Sequence, residues 1–372
     1  MQNSAKISSG SSVQQNRVNG VQAITSLLIL AATAFFLWWG FLFLRDAAEN
    51  GVHQIAITLF AIVWGVAGVG LIYLGLNRLI ESFPDRVRSI FQPFIFIGPA
   101  VAILVWFMLI PTLRTAYLSL FDADSQNFVG LENFSAVFTD RQMRTAFGNN
   151  LLWMIVGTSA CVLLGLFIAV FADRSKFERV AKSLIFMPMA ISFVGAAVIW
   201  RFVYYYSPAN QEQIGLLNSI VTSLGGAPQT WTVNQPWNVL FLIVILIWMQ
   251  TGYAMVIFSA ALKGVPEDLL EAGRIDGASE PRIFFKIIIP YIQGTILTVT
   301  TTILIFTLKI FDVIMAMTGG QYGTEVIATQ FYRQFFVNRN FGYGSAIAIV
   351  LLIAVIPVMI YNLRQLGKQE AF

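Results

Sequence analysis

Charge is scarce in this sequence: 19 acidic and 23 basic side chains among 372 residues, 11% in all, are too few to cover a soluble protein of this size. A single cysteine, Cys161, excludes an intrachain disulfide and a cysteine-built metal cluster; lying inside an apolar run, it reads as a small buried side chain. The single histidine, His53, cannot supply a cluster either. Also missing are the Gly-x-x-x-x-Gly-Lys-Ser/Thr phosphate loop, the His-Glu-x-x-His pair, the dinucleotide fingerprint and the nucleophile elbow. No metal, cofactor or catalytic constellation is therefore expected in this chain, and a nucleotide that powered it would have to bind elsewhere. The net charge of +4 is small for this length and lies mostly between apolar runs, which speaks for membrane topology and against nucleic-acid binding.

What the sequence has in abundance is apolar surface, 57% of its residues. Runs of roughly 20 such residues, the length a helix needs to cross about 30 Å of hydrocarbon, fall near 24–44, 55–76, 94–118, 150–172, 184–205, 238–261, 288–311 and 343–363. Backbone groups in lipid must be paired within the segment, so these runs predict an all-α integral membrane protein with about eight transmembrane helices. Residues 1–22, rich in Ser, Gln and Asn, read as a disordered tail with no cleavable signal peptide, and 366–372 as a second tail. An even number of spans puts both termini on one side. Fifteen of the 23 Lys and Arg residues fall on that side, which predicts cytoplasmic termini for a multi-pass protein of the cell's inner (plasma) membrane. Prolines 99, 111, 188, 290 and 357, in or at the ends of spans, are candidate kinks.

The most charged stretch, Gly264 to Pro290, lies between two apolar runs on the cytoplasmic side of that scheme. Pro266, Glu267 and Asp268 suit a first helical turn, and glycines interrupt the middle, so a polar helix-turn-helix is expected. Within it, Glu271-Ala272-Gly273, then Asp276-Gly277-Ala278, then Ile287-x-Ile289-Pro290 resemble the EAA motif of ABC importer permeases: Glu-Ala-Ala, three residues, Gly, nine residues, Ile-x-Leu-Pro. The spacing matches; Gly273 stands for the second alanine and Ile289 for leucine. Other stretches resemble the carbohydrate, maltose-type, binding-protein-dependent branch: Phe128 to Phe134, Met187-Pro188 through Phe202, Gly215 to Asn218, and Lys309 through Gly320. Together these cover about 94–365 and imply a six-helix permease core, preceded over 23–93 by two accessory spans and a linker.

The resemblance implies a translocation subunit, not an enzyme, working by alternating access in a machine of two homologous permeases, two ATP-binding cassette ATPases and an extracytoplasmic sugar-binding protein. ATP and Mg would then belong to the ATPases. Glu271, Ala272, Gly273, Asp276, Gly277 and Ala278 would form the joint with them. A sugar needs amides, hydroxyls and aromatic faces near mid-membrane, and span six supplies Trp248, Gln250, Thr251 and Tyr253. Gln250 and Tyr253, three apart and on one helical face, match positions where the maltose permease contacts its sugar; Lys309 matches a third, with Thr307 a weaker candidate. Helix-helix hydrogen bonding is the plainer reading of these polar residues, and an ion pair that of Lys309 with Asp312. Arg201, Tyr204 and Tyr205 are placed at an outer mouth. A self-sufficient secondary transporter or channel, or an ABC permease for a solute other than a sugar, are the competing readings.

Overall fold

The computed structural model describes residues 18–208 and 211–369. Among these the chain is helical, with one isolated antiparallel bridge between Phe121 and Phe128 and no strand. Six helices are long and apolar enough to cross a bilayer, and two bent helix pairs bring the number of spans to as many as eight. Most of the tail expected over 1–22 lies outside the described residues; from Gly20 onward the chain is helical, and the last helix runs to Gln369. Two compact units divide between Thr112 and Leu113.

The first unit holds α1 (Gly20–Asp46), α2 (Gln54–Glu81) and the first part of α3 (Asp85–Leu118). Small residues repeat every seven positions on the facing sides of α1 and α2: Ser26, Thr33 and Gly40 are buried on one, Gly68 and Gly75 on the other. Lipid offers no hydrophobic gain for pairing helices, so close backbone approach is what holds them. A Cβ at Gly68 would lie 2.5 Å from Leu37, and one at Gly75 2.7 Å from Leu30. The Trp64 indole covers Gly40 and donates to the carbonyl of Phe36 at 3.2 Å. The remaining faces, with Phe35, Trp38 and Val66 exposed, suit acyl chains.

In the second unit α4 (Glu132–Thr139) leads into α5 (Arg141–Ala172), α6 (Glu178–Ala190), α7 (Phe193–Val203) and the short α8 (Leu216–Ser223). The centre of the unit is α9 (Asn238–Lys263), 56% buried over its most apolar window where no other long helix exceeds 28%. Trp153, Leu242, Leu246 and Ile314 form one core cluster around it, and Cys161, Met255, Phe258 and Ile303 another. The α5–α9 contact is close because Gly165 has no side chain: a Cβ there would sit 2.5 Å from that of Ala254. A helical hairpin follows, α10 (Glu267–Ile275) and α11 (Glu280–Tyr291), then α12 (Gln293–Leu308), α13 (Asp312–Met317), α14 (Ile327–Tyr332) and α15 (Phe341–Gln369).

Two of the expected spans are not single helices. The run 184–205 breaks between α6 and α7, which meet at 103°, and the run 288–311 breaks between α11 and α12 at 68°. At the first break Met187–Ala190 tightens into a 3-10 turn containing Pro188, Ile191 is extended, and Ser192 restarts the helix by accepting from the N–H of Gly195 at 3.0 Å. At the second, Ile292 leaves helical geometry two residues after Pro290. Pro99 and Pro357, by contrast, lie inside helices that continue through them.

Three asparagines tie the segment around Tyr322 to Ile327 onto the long helices. Asn149 donates to the carbonyls of Gly323 and Glu325 at 2.8 and 2.7 Å. Asn150, buried on α5, donates to the last carbonyl of α12, Leu308, at 3.0 Å and accepts from the N–H of Ile327 at 2.8 Å. Asn238 donates to Tyr322 at 2.7 Å. An amide inside an apolar bundle is stable when each polar group finds a partner, and these supply partners for backbone that no helix covers.

Candidate functional site

The Gly264 to Pro290 stretch folds as its composition predicts. Pro266 precedes α10, and Glu267 and Asp268 occupy its first turn, where carboxylates face the positive end of the helix dipole. The helix ends in a Schellman turn: the N–H of Gly277 bonds the carbonyl of Arg274 and that of Ala278 the carbonyl of Gly273, both at 3.0 Å. Gly277 has φ +75°, which an L side chain adopts only with strain. Arg274 donates to Glu280 across the turn at 2.8 Å.

Gly273 is the buried point of the hairpin. A Cβ added there would lie 2.8 Å from Cδ1 of Ile287 and 3.4 Å from Cγ1 of Ile283, so the two ends of the spaced motif touch each other here. Sequence alone reads this glycine as a loosening of α10; the fold adds that it seats α11. Gly273→Ala is expected to shift stability by no more than about 1 kcal/mol, the gain in helix propensity offsetting the displaced Ile287 methyl. Thermal unfolding of the two proteins side by side checks this. Glu271, Ala272 and Asp276 point outward, and Ile275 is 85% exposed, so an acidic and apolar face stands open at the tip of the hairpin.

At the hairpin's base lies a charge cluster whose members count, in the sequence, only toward topology. Lys182 on α6 is 2.6 Å from Glu178 and 2.5 Å from Asp173 at the end of α5. Lys263, the last residue of α9, binds the same Glu178. Ser259 on α9 accepts from Lys182 and donates to Asp173 at 2.7 Å. Three helix ends thus meet in one partly buried network. Its members are 77 to 86 residues apart across the α6–α9 and α5–α9 contacts, and spacing carries no signal of that pairing.

Halfway along α9 the six residues named for substrate contact do not converge on one point. At 100° per residue, Trp248 and Thr251 fall on one side and Gln250 and Tyr253 on another. Trp248 and Thr251 line a cleft of about 360 Å³ with Pro188 and Ile185, directly at the break in span five. Beside it Gly252 lets the α6 backbone pack closely on α9: a Cβ at this position would stand 2.5 Å from the carbonyl oxygen of Ile185. Gln250 is 4% exposed, and its amide makes no hydrogen bond among the described residues. Tyr253 packs against the cluster around Phe258. Thr307 is fully buried, donates to Leu304 at 2.9 Å and lies 3.5 Å from the hydroxyl of Thr158, a helix-packing role. Lys309 sits exposed in the turn after α12, and Asp312, also exposed, opens α13; no ion pair joins them, because the helix that would have put them on one face ends at Leu308.

Comparison with known proteins places this geometry in a family. Residues 161–366 match the family model described as binding-protein-dependent transport system inner membrane component. The osmoprotective compounds uptake permease protein GgtC of Synechocystis sp. is 54% identical, over 74% of this chain and 99% of that one. The alpha-glucoside transport system permease protein AglF of Rhizobium meliloti is 49% identical, over 86% of this chain and 99% of that one. In fold, the chain resembles a subunit in the crystal structure of a bacterial ABC transporter that imports the acidic polysaccharide alginate, with a TM-score of 0.64 at 20% identity, covering 75% of this chain and 99% of that one. Helices that span, a hairpin with the spaced Glu-Ala and Gly residues, and these relatives agree: the chain belongs to the binding-protein-dependent transport system inner membrane components, the permease subunits of ABC importers.

Proposed function

We propose that this permease imports a neutral glucoside or oligosaccharide, including glycosides that serve as compatible solutes, and that Gln250 contacts it. The observation that carries the reading is the Gln250 amide, nearly buried halfway along α9 and without a hydrogen-bond partner among the described residues, on a different side of that helix from the Trp248 and Thr251 cleft. Relatives named for alpha-glucosides and for osmoprotective compounds, each matched over nearly its whole length, support the substrate class. Family membership excludes the self-sufficient secondary transporter.

In this reading residues 94–365 form the permease core, 23–93 are accessory spans, and both termini are cytoplasmic in an inner membrane. The outward face of the hairpin, with Glu271, Ala272, Asp276 and Ile275, docks on an ATPase that holds ATP and Mg; Gly273, Gly277 and Ala278 shape the turn behind it. A second permease, a second ATPase and an extracytoplasmic sugar-binding protein complete the complex. Closure of the ATPases pulls the hairpin, α11 passes the motion to α12 through the bend at Ile292, and the ends of α5, α6 and α9 follow through Glu178. The cleft at the α6–α7 break then opens to one side or the other. Lys309, exposed past the end of α12, lies where it can donate to a hydroxyl on the way in; Thr307 and Tyr253 act through packing.

The test is competitive uptake. The transporter assembled in proteoliposomes with its partner subunits should import at least one of maltose, sucrose and trehalose in an ATP-dependent way, and Gln250→Ala should cut that uptake by at least tenfold, the loss of about 1.4 kcal/mol or more. Uptake of an amino acid or phosphate instead, with no sugar competing, would sink the substrate assignment.

A further inference from the structure

At the end of α9 away from the hairpin, about 39 Å along a helix of 26 residues, the chain carries a separate cleft of about 310 Å³. Arg201, Tyr205, Tyr206, Thr230, Trp231 and Thr232 line it. Its two walls, the end of α7 and the segment 229–233, are distant in sequence, and Asn218 of α8 holds them together. The buried Asn218 amide donates to the carbonyls of Tyr205 and Gln229, both at 3.0 Å, and accepts from the Gln229 N–H at 2.9 Å and the Trp231 indole at 3.1 Å. Both donors and both lone pairs of one amide are therefore engaged in fixing the cleft. The ring of Trp231 is further held edge-on to Phe241, centroids 5.0 Å apart, and Tyr204 beneath it is anchored by a 2.9 Å bond to the carbonyl of Phe241.

The groups facing the cleft are not committed in this way. The phenols of Tyr205 and Tyr206 make no hydrogen bond among the described residues, and Tyr206 is 37% exposed. Arg201 donates through one guanidinium nitrogen to the carbonyl of Ala316, which leaves further N–H groups. No carboxylate among the described residues lines the space. Its volume is at the lower end of the roughly 300–1,000 Å³ of small-molecule sites, the size of a one- or two-ring ligand. Fixed aromatic faces take the C–H side of a pyranose, while threonine hydroxyls, phenols and a guanidinium exchange hydrogen bonds with its hydroxyl groups. A single cation with one nitrogen already bonded suits a neutral polyol better than a multiply charged anion.

We propose that this cleft is a second sugar site, an entry subsite that holds a neutral glycoside before it reaches Gln250; this rests on the sugar-import reading above. The whole chain, assembled with its partner subunits in lipid nanodiscs, is titrated with maltose, sucrose and trehalose while tryptophan fluorescence is followed. A saturable change is expected whose amplitude falls in Trp231→Phe, and Tyr206→Ala should weaken the apparent affinity of that Trp231-dependent component at least tenfold while Tyr206→Phe, which keeps the ring, retains it within about threefold. A response unchanged in Trp231→Phe, an affinity unchanged in Tyr206→Ala, or no response at all overturns the subsite. An uptake defect of Tyr206→Ala that excess binding protein repairs, and excess sugar does not, assigns the cleft to protein docking and overturns it too. Should the wild-type transporter import none of these sugars, the import reading itself fails; should it import them without a Trp231-dependent response, only the entry subsite does.

Discussion

Gly252→Ala is expected to cost about 1–3 kcal/mol of stability and to reduce sugar uptake at least tenfold, with Gly252→Val worse on both counts. The methyl group would stand 2.5 Å from the carbonyl oxygen of Ile185 and 2.7 Å from Cα of Phe186. Both are backbone atoms, so no side-chain rotation relieves the clash, and α6 has to move as a body. That movement closes or displaces the cleft that Trp248 and Thr251 share with Pro188. Gly148, where an added Cβ meets nothing within 4 Å, is the internal control: Gly148→Ala should be neutral or mildly stabilising through helix propensity. Thermal melts in detergent and uptake in proteoliposomes, run on the three variants, decide the matter. Equal behaviour of Gly148→Ala and Gly252→Ala would remove the structural role assigned to Gly252.

The second large effect is expected at the hairpin. Glu271→Lys combined with Gly277→Val should abolish ATP-dependent uptake, because the first reverses the charge of the exposed face and the second strains the turn behind it. A valine at φ +75° costs on the order of 1–2 kcal/mol locally, enough to unseat the Schellman turn while leaving the bundle folded. Glu271 forms no ion pair with another described residue, so its replacement removes no internal contact of that kind. The separating measurements are copurification of the ATPase and sugar-stimulated ATP hydrolysis. A double variant that keeps its ATPase and transports normally rules out the hairpin as the coupling joint.

Much of this architecture is legible in the sequence. Every long apolar run is a helix or a helix pair, because lipid leaves the backbone no other way to pair its polar groups. The hairpin is legible because glycine at φ > 0, a proline before a helix and acidic residues in a first turn are local signals that tertiary context rarely overrides. The bend of 103° is not, since the apolar composition runs straight through it. Pro188 could mark it, yet Pro99 and Pro357 sit in unbroken helices, so proline alone does not discriminate. The expected pairing of Lys309 with Asp312 does not form for a related reason: three-residue spacing makes neighbours only while the helix lasts. Asn149, Asn150 and Asn218 carry no signal of their role because a buried amide and an exposed one look the same in a sequence, and only the carbonyls around them tell which is a staple.

The cluster of Asp173, Glu178, Lys182 and Lys263 sums to zero charge, and Asp173 and Lys182 are mostly shielded from water. Screening by salt acts weakly on the Asp173–Lys182 pair and more strongly on Lys263–Glu178, whose lysine is 54% exposed, so rising ionic strength loosens the α9 end of the junction before the α5–α6 end. Lys263 is followed directly by Gly264, where the hairpin begins. The carboxylate of Glu178 therefore ties the last residue of α9, one position before the hairpin, to the first turn of α6, and two helices that are separate in the chain share one anchor.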